Sequence, residues 1–213
     1  MGNAAIVSDP GRPEITRAAL GPLLDAALPC AVLYPRGITA YVARQVMALG
    51  FDDHGAMPAM AVDIEDMAQT SLPCGYSWAR IGAGSDGRIW SEVLAEGYGL
   101  PPGLARLFSP EVLGVDKTQA AQTQFFAVMR DGRPVSTSLL YLADGLAGIY
   151  SVSTLPAERG KGLGAHATAE ALRTAFTLGY RVGVLQSSPA GHSVYLALGF
   201  KTWGRCGCFR MTS

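Results

Sequence analysis

"LPAERGKGLGAHA", residues 155–167, is the stretch from which the rest of the chain can be read. A strand-like pattern ends at Pro156, a glycine-rich turn follows, and an amphipathic helical pattern starts near Gly164. A helix starting there leaves backbone N–H groups unpaired and aims its positive end at the turn. Such a place suits a phosphate. Gly160, Gly162 and Gly164 remove side chains that would block close backbone approach, while Arg159 and Lys161 add charge where a pyrophosphate would sit. The competing reading is a glycine turn that merely lets a helix pack on a sheet.

Within that stretch, Gly162 to Ala167 satisfies the dinucleotide pattern G-x-G-x-x-A. The acidic residue that this pattern requires about 20 residues on is missing, because the next strand ends in Gln186, Ser187 and Ser188. The strands before the loop are also wrong for a βαβ unit. No G-x-x-x-x-G-K-[ST] occurs, which excludes a P-loop.

Working outward, the preceding segment reads as an antiparallel meander: strands over Gln124 to Met129, Val135 to Leu142 and Leu146 to Thr154, joined at Asp131-Gly132 and Asp144-Gly145. Before it come a strand from Gly75 to Ile81, a helix with Ser85 as N-cap and Ile89, Val93 and Leu94 as apolar positions, and a second apolar segment around Leu104 to Phe108. After the loop, Ala165, Ala169, Leu172 and Phe176 repeat at helical spacing up to Gly179. Arg181 to Gln186 then reads as a buried strand, Ala190 to Leu198 as a short helix ended by Gly199, and Thr202 to Met211 as a last strand. The order is β-α-α-β-β-β-α-β-α-β.

Arg159-Gly160-Lys161-Gly162-Leu163-Gly164 matches the R/Q-x-x-G-x-G/A signature of the GNAT superfamily of acyl-CoA-dependent N-acyltransferases, and the element order from about residue 72 onward resembles that fold. "SPAGHSVYLALGF" is similar to the family's second motif, in which a Tyr, here Tyr195, precedes a Leu-Gly-Phe helix end; Ser188 stands where the family often has Asn. The resemblance implies an α/β (α+β) fold with a mixed, mostly antiparallel central sheet and helices on both faces. It implies a notch where the strand ending near Thr154 splays from the one starting near Val182. Backbone groups of Val152, Ser153 and Thr154 would bond the pantetheine arm of acetyl-CoA, and amides of Arg159, Gly160, Lys161, Gly162, Leu163, Gly164 and Ala165 its pyrophosphate, with Ser188 also on the cofactor side.

The activity implied is transfer of an acetyl group to a primary amine of a small molecule, amino acid or peptide by direct attack on the thioester. Tyr195 is the candidate hydrogen-bond donor to the departing thiolate. It is offset from the apolar stripe that Val194 and Leu198 define. The base is the open point, since "AGIYSVST", residues 147–154, has no carboxylate where many family members carry Glu. His192, three residues before Tyr195, is the candidate, against the bland reading of a structural or surface histidine; Tyr150 and Ser153 are further options. His166 reads as a helix-surface residue. Two other classes stay open: a non-catalytic acyl-CoA-binding regulatory module, and a dinucleotide-binding oxidoreductase.

"ALGF" occurs at residues 48–51 and again at 197–200, each time closing a helix-to-strand pattern. In the first copy Ala31 to Tyr34, Ile38 to Leu49 and Pro58 to Ile64 read as strand, helix and strand, a small βαβ unit, with Gly55 aligned to Gly204 and Val46 to Tyr195. Nothing before Leu33 resembles the glycine loop. Residues 1–70 are therefore expected to be a degenerate acyltransferase-like unit, or a look-alike, beside a catalytic domain at 71–213.

The composition sets outer limits. The chain has 213 residues, 49% hydrophobic and 16% charged, enough for one large core or two small ones. Basic and acidic residues both total 17, so no global field favours nucleic acid or an anionic membrane. The apolar run at 18–34 is interrupted by Pro22, Asp25 and Pro29 and lacks signal-peptide flanks, which points to a cytoplasmic protein. Cys30, Cys74, Cys206 and Cys208 make neither a disulfide framework nor a zinc site, and no metal is expected. An exposed last strand could pair two copies as a homodimer.

Overall fold

In the computed structural model the described residues are 3–6, 20, 21, 24, 30–35, 40–113 and 122–211. In chain order the elements are β1 (Asn3–Ile6), β2 (Cys30–Pro35), α1 (Ala40–Ala48), β3 (Asp52–Asp63), β4 (Tyr76–Ile81), α2 (Ser85–Tyr98), α3 (Pro102–Arg106) and α4 (Pro110–Leu113). There follow β5 (Thr123–Arg130), β6 (Arg133–Ala143), β7 (Leu146–Thr154), a 3-10 turn (Pro156–Glu158), α5 (Leu163–Thr177), β8 (Val182–Gln186), α6 (His192–Ala197) and β9 (Lys201–Met211). Ile38 and Thr39, at the start of the first expected helix, lie outside the described residues.

The chain forms two compact units, one from Met1–Met60, Gln186–Ala190 and Thr202–Ser213, the other from Ala61–Leu185 and Gly191–Lys201. In the larger unit β4, β5, β6 and β7 pair antiparallel, and β7 pairs parallel with β8. Asp131 and Gly132 (φ 49° and 74°) and Asp144 and Gly145 (φ 49° and 76°) make the two hairpin turns. Both central residues have positive φ, the conformation whose twist suits a two-residue hairpin and which Asp-Gly tolerates. β5 is buried from Thr123 to Met129, and from Phe125 to Met129 its sequence is a continuous apolar run rather than an alternation.

Helices cover both faces of this sheet. On one, Trp90, Leu94 and Ala95 of α2 join Ile81, Phe125, Ala127 and Leu139 in a core cluster. On the other, Leu163 and Ala167 of α5 pack with Val128 and Val135. A Cβ at Gly183 of β8 would lie 2.8 Å from Leu172, so glycine there lets α5 sit directly on the strand.

In the smaller unit β2 pairs parallel with β1 and antiparallel with β9. Val42 and Val46, one turn apart on α1, close a core with Leu20, Cys30, Val32, Phe51 and Phe209. The two ALGF copies share one local geometry: Gly50 and Gly199 have φ of 93° and 98°, and Phe51 and Phe200 are each buried. A left-handed glycine ends the helix and turns the next residue into a core.

Four expectations need correction. Gly84 rather than Ser85 occupies the N-cap of α2, with no side-chain cap bond. His166 is not a surface residue but is 7% exposed, because α5 is covered around more of its circumference than its simplest stripe implies. β9 is not an edge strand, since it lies between β2 and β3 in the strand order. Val194 is 37% exposed, so α6 has no i, i+4 core stripe, and only Leu198 beyond its end is buried.

Candidate active site

β7 carries one residue more than its partner. Thr137 faces Ser153 and Leu139 faces Tyr150, which leaves Ser151 and Val152 opposite Ser138 alone. Ser151 takes the left-handed conformation at φ 52°, and Thr137 Oγ1 donates to its carbonyl at 2.8 Å. Parallel pairing with β8 covers only Leu146↔Val182, Ala147↔Gly183 and Gly148↔Val184. β7 then runs on to Thr154 and β8 to Gln186 without further pairing to each other, so the two strands diverge along the second half of β7.

β7 leads straight into the glycine loop. The 3-10 turn ends at Glu158, Arg159 is extended, and Gly160 and Gly162 both have positive φ, at 78° and 75°. Gly162 is the N-cap of α5 and supplies no side-chain cap. The first helical bond runs from His166 N–H to the Gly162 carbonyl, so the amides of Leu163, Gly164 and Ala165 belong to the turn that lacks intrahelical acceptors. A Cβ at Gly160 or Gly162 would meet nothing within 4 Å, so the loop is open on the Cβ side of these two glycines. The sites fit an anionic diphosphate held by backbone N–H groups.

Both cations of the loop are directed to protein acceptors. Arg159 donates from Nη2 to the Gly97 carbonyl at 2.8 Å and from Nε to the Thr154 carbonyl at 3.3 Å. Lys161 Nζ donates to Glu158 Oε2 at 2.6 Å and to the Tyr76 hydroxyl at 3.1 Å. Glu158 also accepts from the Tyr76 hydroxyl at 2.5 Å and from Arg130 Nη1 at 2.7 Å. The hydrogen bonds from Lys161 and Tyr76 outweigh the partial burial of the carboxyl and hold its pKa down at about 2.

Tyr195 lies on α6 with its ring edge-on to Phe200, centroids 5.8 Å apart. Burial pushes its phenol well above the ordinary tyrosine value, the Tyr98 phenol at the end of α2 adds to this, and the Thr168 hydroxyl opposes it. Thr168 Oγ1 itself donates to the Gly164 carbonyl. His192 is the first residue of the same helix. Ser153 is buried and its hydroxyl donates to the Val93 carbonyl of α2. The Tyr150 ring lies against Gly148, and burial raises its phenol too. Ser188 is exposed beyond β8, in the smaller unit, and its carbonyl accepts from Ser187 Oγ.

The sequence reading did not single out Glu158, Tyr76, Arg130, Tyr98, Thr168 or the bulge at Ser151. Only Glu158 had a local signal, as a carboxylate directly before the two loop cations. Tyr76 and Arg130 reach it from 82 and 28 residues away, a distance that no periodicity spans.

The acetyltransferase (GNAT) family model matches residues 98–200, which hold β5 to α6 and the glycine loop. No curated protein matches the chain by sequence. Among solved structures, a GCN5-related N-acetyltransferase from Kribbella flavida superposes with a TM-score of 0.72 at 22% identity, covering 99% of this chain and 81% of that one. Another from Sphaerobacter thermophilus gives 0.66 at 17%, covering 92% and 65%. A tandem GNAT protein from the clavulanic acid biosynthesis pathway gives 0.62 at 15%, covering 97% and 74%. At these identities the likeness is one of fold, and no helix among the described residues is long and apolar enough to cross a membrane. Residues 98–200, the segment that carries the bulged strand and the glycine loop, match the model of the acetyltransferase (GNAT) family, transferases that move acyl groups.

Proposed function

We propose that the protein transfers the acetyl group of acetyl-CoA to a primary amine of a small molecule, amino acid or peptide by direct attack on the thioester. The observation that carries this reading is the conjunction of diverging β7 and β8 with an open glycine loop at the start of α5. When bound, the co-substrate supplies the activated acyl group. The stretch of β7 around Val152, Ser153 and Thr154, which β8 leaves unpaired on its side, would hold the pantetheine arm by backbone bonds, and amides from Arg159 to Ala165 the diphosphate.

Tyr195, kept protonated by burial, would hydrogen-bond the sulfur as the thiolate leaves. Ser153 is committed to Val93 and is a poor base. His192, on the helix of Tyr195, is the imidazole best placed by sequence to take the proton of the amine, directly or through water. The chain would act in the cytoplasm.

Calorimetric titration with acetyl-CoA, desulfo-CoA and NADH, beside a Gly162→Asp variant, tests the donor. Binding of both CoA compounds that is lost in the variant, without NADH binding, is expected, and a panel of amines then identifies the acceptor. A folded protein that ignores both CoA compounds would sink the reading, and binding without turnover on a broad panel would point to a regulatory module.

A further inference from the structure

Glu158 ends the 3-10 turn directly before the loop, with its side chain only 10% exposed. A carboxylate so close to a diphosphate site repels the ligand the site is built to hold. Two arrangements could justify it. Glu158 could restrain Lys161 in competition with the diphosphate, or it could hold the loop in shape.

The geometry favours the second. The Glu158–Lys161 bridge, at 2.6 Å, closes the turn that contains Gly160. Tyr76 on β4 and Arg130 at the end of β5 donate to the same carboxylate at 2.5 and 2.7 Å. Arg130 and Lys161 also lie over the Tyr76 ring, 5.6 and 5.8 Å from its centroid. A single carboxylate thus gathers the loop and moors it to two strands of the sheet. The Cβ positions of Gly160 and Gly162 touch nothing, so packing at these glycines does not restrain them. Glycines lose more backbone freedom on ordering than any other residue, and a loop ordered before its ligand arrives moves that loss from binding to folding.

We propose that Glu158 is a positioning residue, which through Lys161, Tyr76 and Arg130 fixes the glycine loop in the form that receives the diphosphate of the acyl donor. The proposal rests on the acyl-CoA reading above. Its test compares wild type, Glu158→Gln and Tyr76→Phe in calorimetric titrations with acetyl-CoA and with S-acetylpantetheine, which keeps the thioester arm but has no diphosphate. Glu158→Gln should raise the Kd for acetyl-CoA about tenfold and leave that for S-acetylpantetheine unchanged. Tyr76→Phe, which keeps the ring and loses one donor, should act in the same direction by less, and it carries the test should Glu158→Gln fail to fold.

Unchanged or tighter acetyl-CoA binding in a folded variant would overturn the proposal, since release of Lys161 would then help the ligand. An equal loss with both donors would also overturn it, as general damage. A wild-type protein that binds neither donor removes the acyl-CoA reading itself, an outcome separate from any effect of the variants.

Discussion

Arg159 and Gly97 are joined by a 2.8 Å hydrogen bond from the guanidinium to the carbonyl, so a residue of the glycine loop serves as the C-terminal partner of α2. The carbonyl is in the last turn of that helix, where acceptors lack intrahelical donors and a cation also meets the negative end of the helix dipole. The same guanidinium reaches the Thr154 carbonyl, which ties α2, the end of β7 and the loop into one assembly.

Replacing Arg159 by Met should therefore lower stability by about 1 kcal/mol, measured by urea denaturation. Lys at this position should restore only part, because an ammonium lacks the planar fork that serves two carbonyls. If acetyl-CoA affinity fell while stability held, Arg159 would be meeting the diphosphate instead.

Gly97→Ala should cost about 1–3 kcal/mol. The new Cβ would lie 1.9 Å from Ser153 Oγ and 3.2 Å from the Thr154 carbonyl oxygen. Rotating Ser153 away breaks its bond to Val93, and the carbonyl cannot rotate away. The double variant with Ser153→Ala should recover part of the loss, a non-additivity expected of residues in contact. Full additivity would contradict this packing.

Stability should decline as pH falls through 6.5 toward the folded pKa of His166. Its ring is buried, with Thr70 Oγ1 3.1 Å from Nδ1 and the Trp78 ring edge-on. Burial lowers its pKa below 6.5, Arg173 adds to this and Glu170 opposes it. The unfolded chain then binds the proton more readily than the folded one, so stability is greatest above pH 6.5. The difference between wild type and His166→Gln, followed by denaturation from pH 8 to pH 5, should shrink toward the acid end.

Glu158 governs a lower window. Its folded pKa of about 2 lies below the ordinary 4.5, so the stability it contributes is present above pH 4.5 and vanishes as pH falls through 2. Wild type and Glu158→Gln should converge over that interval and keep a constant difference, from this group, above it.

Once an acceptor is known, Tyr195→Phe should reduce kcat by about a hundredfold, as loss of a positioned proton donor does, and leave the KM for acetyl-CoA nearly unchanged. Burial raises the phenol's pKa, so any alkaline fall in rate below pH 10 belongs to another group. An unchanged kcat would remove Tyr195 from the chemistry.

The parts of the fold that were legible in the sequence are those set by short-range rules. The Asp-Gly turns announced their hairpins through positive φ at both residues, and Gly179 and Gly199 marked helix ends. The glycine loop was readable because it is contiguous. His166 was misjudged because burial on a second side of α5 comes from partners such as Thr70, 96 residues away, and the edge status of β9 was misjudged because β2 reaches it from the other end of the chain. The cluster around Glu158 was invisible for the same reason: its members meet only once β4, β5 and the loop are in register. The bulge had no signal either, since Ser151 is not the glycine that a left-handed residue suggests.

That bulge gives β7 something like a reading frame. Ahead of it Tyr150 shares the α2 side of the sheet with Leu139, and beyond it Ser153 shares that side with Thr137, although two residues, Ser151 and Val152, stand between Tyr150 and Ser153 where a regular strand would have one. Val152 and Thr154 consequently turn toward Gly164 at the start of α5. Point substitutions in this strand alter one contact each. Deleting a residue after the bulge would instead transpose every later side chain to the wrong side and deliver the glycine loop half a pleat out of phase, whereas deleting Ser151 or Val152 would restore one-to-one pairing with β6 and leave Ser153 on the side of Val93.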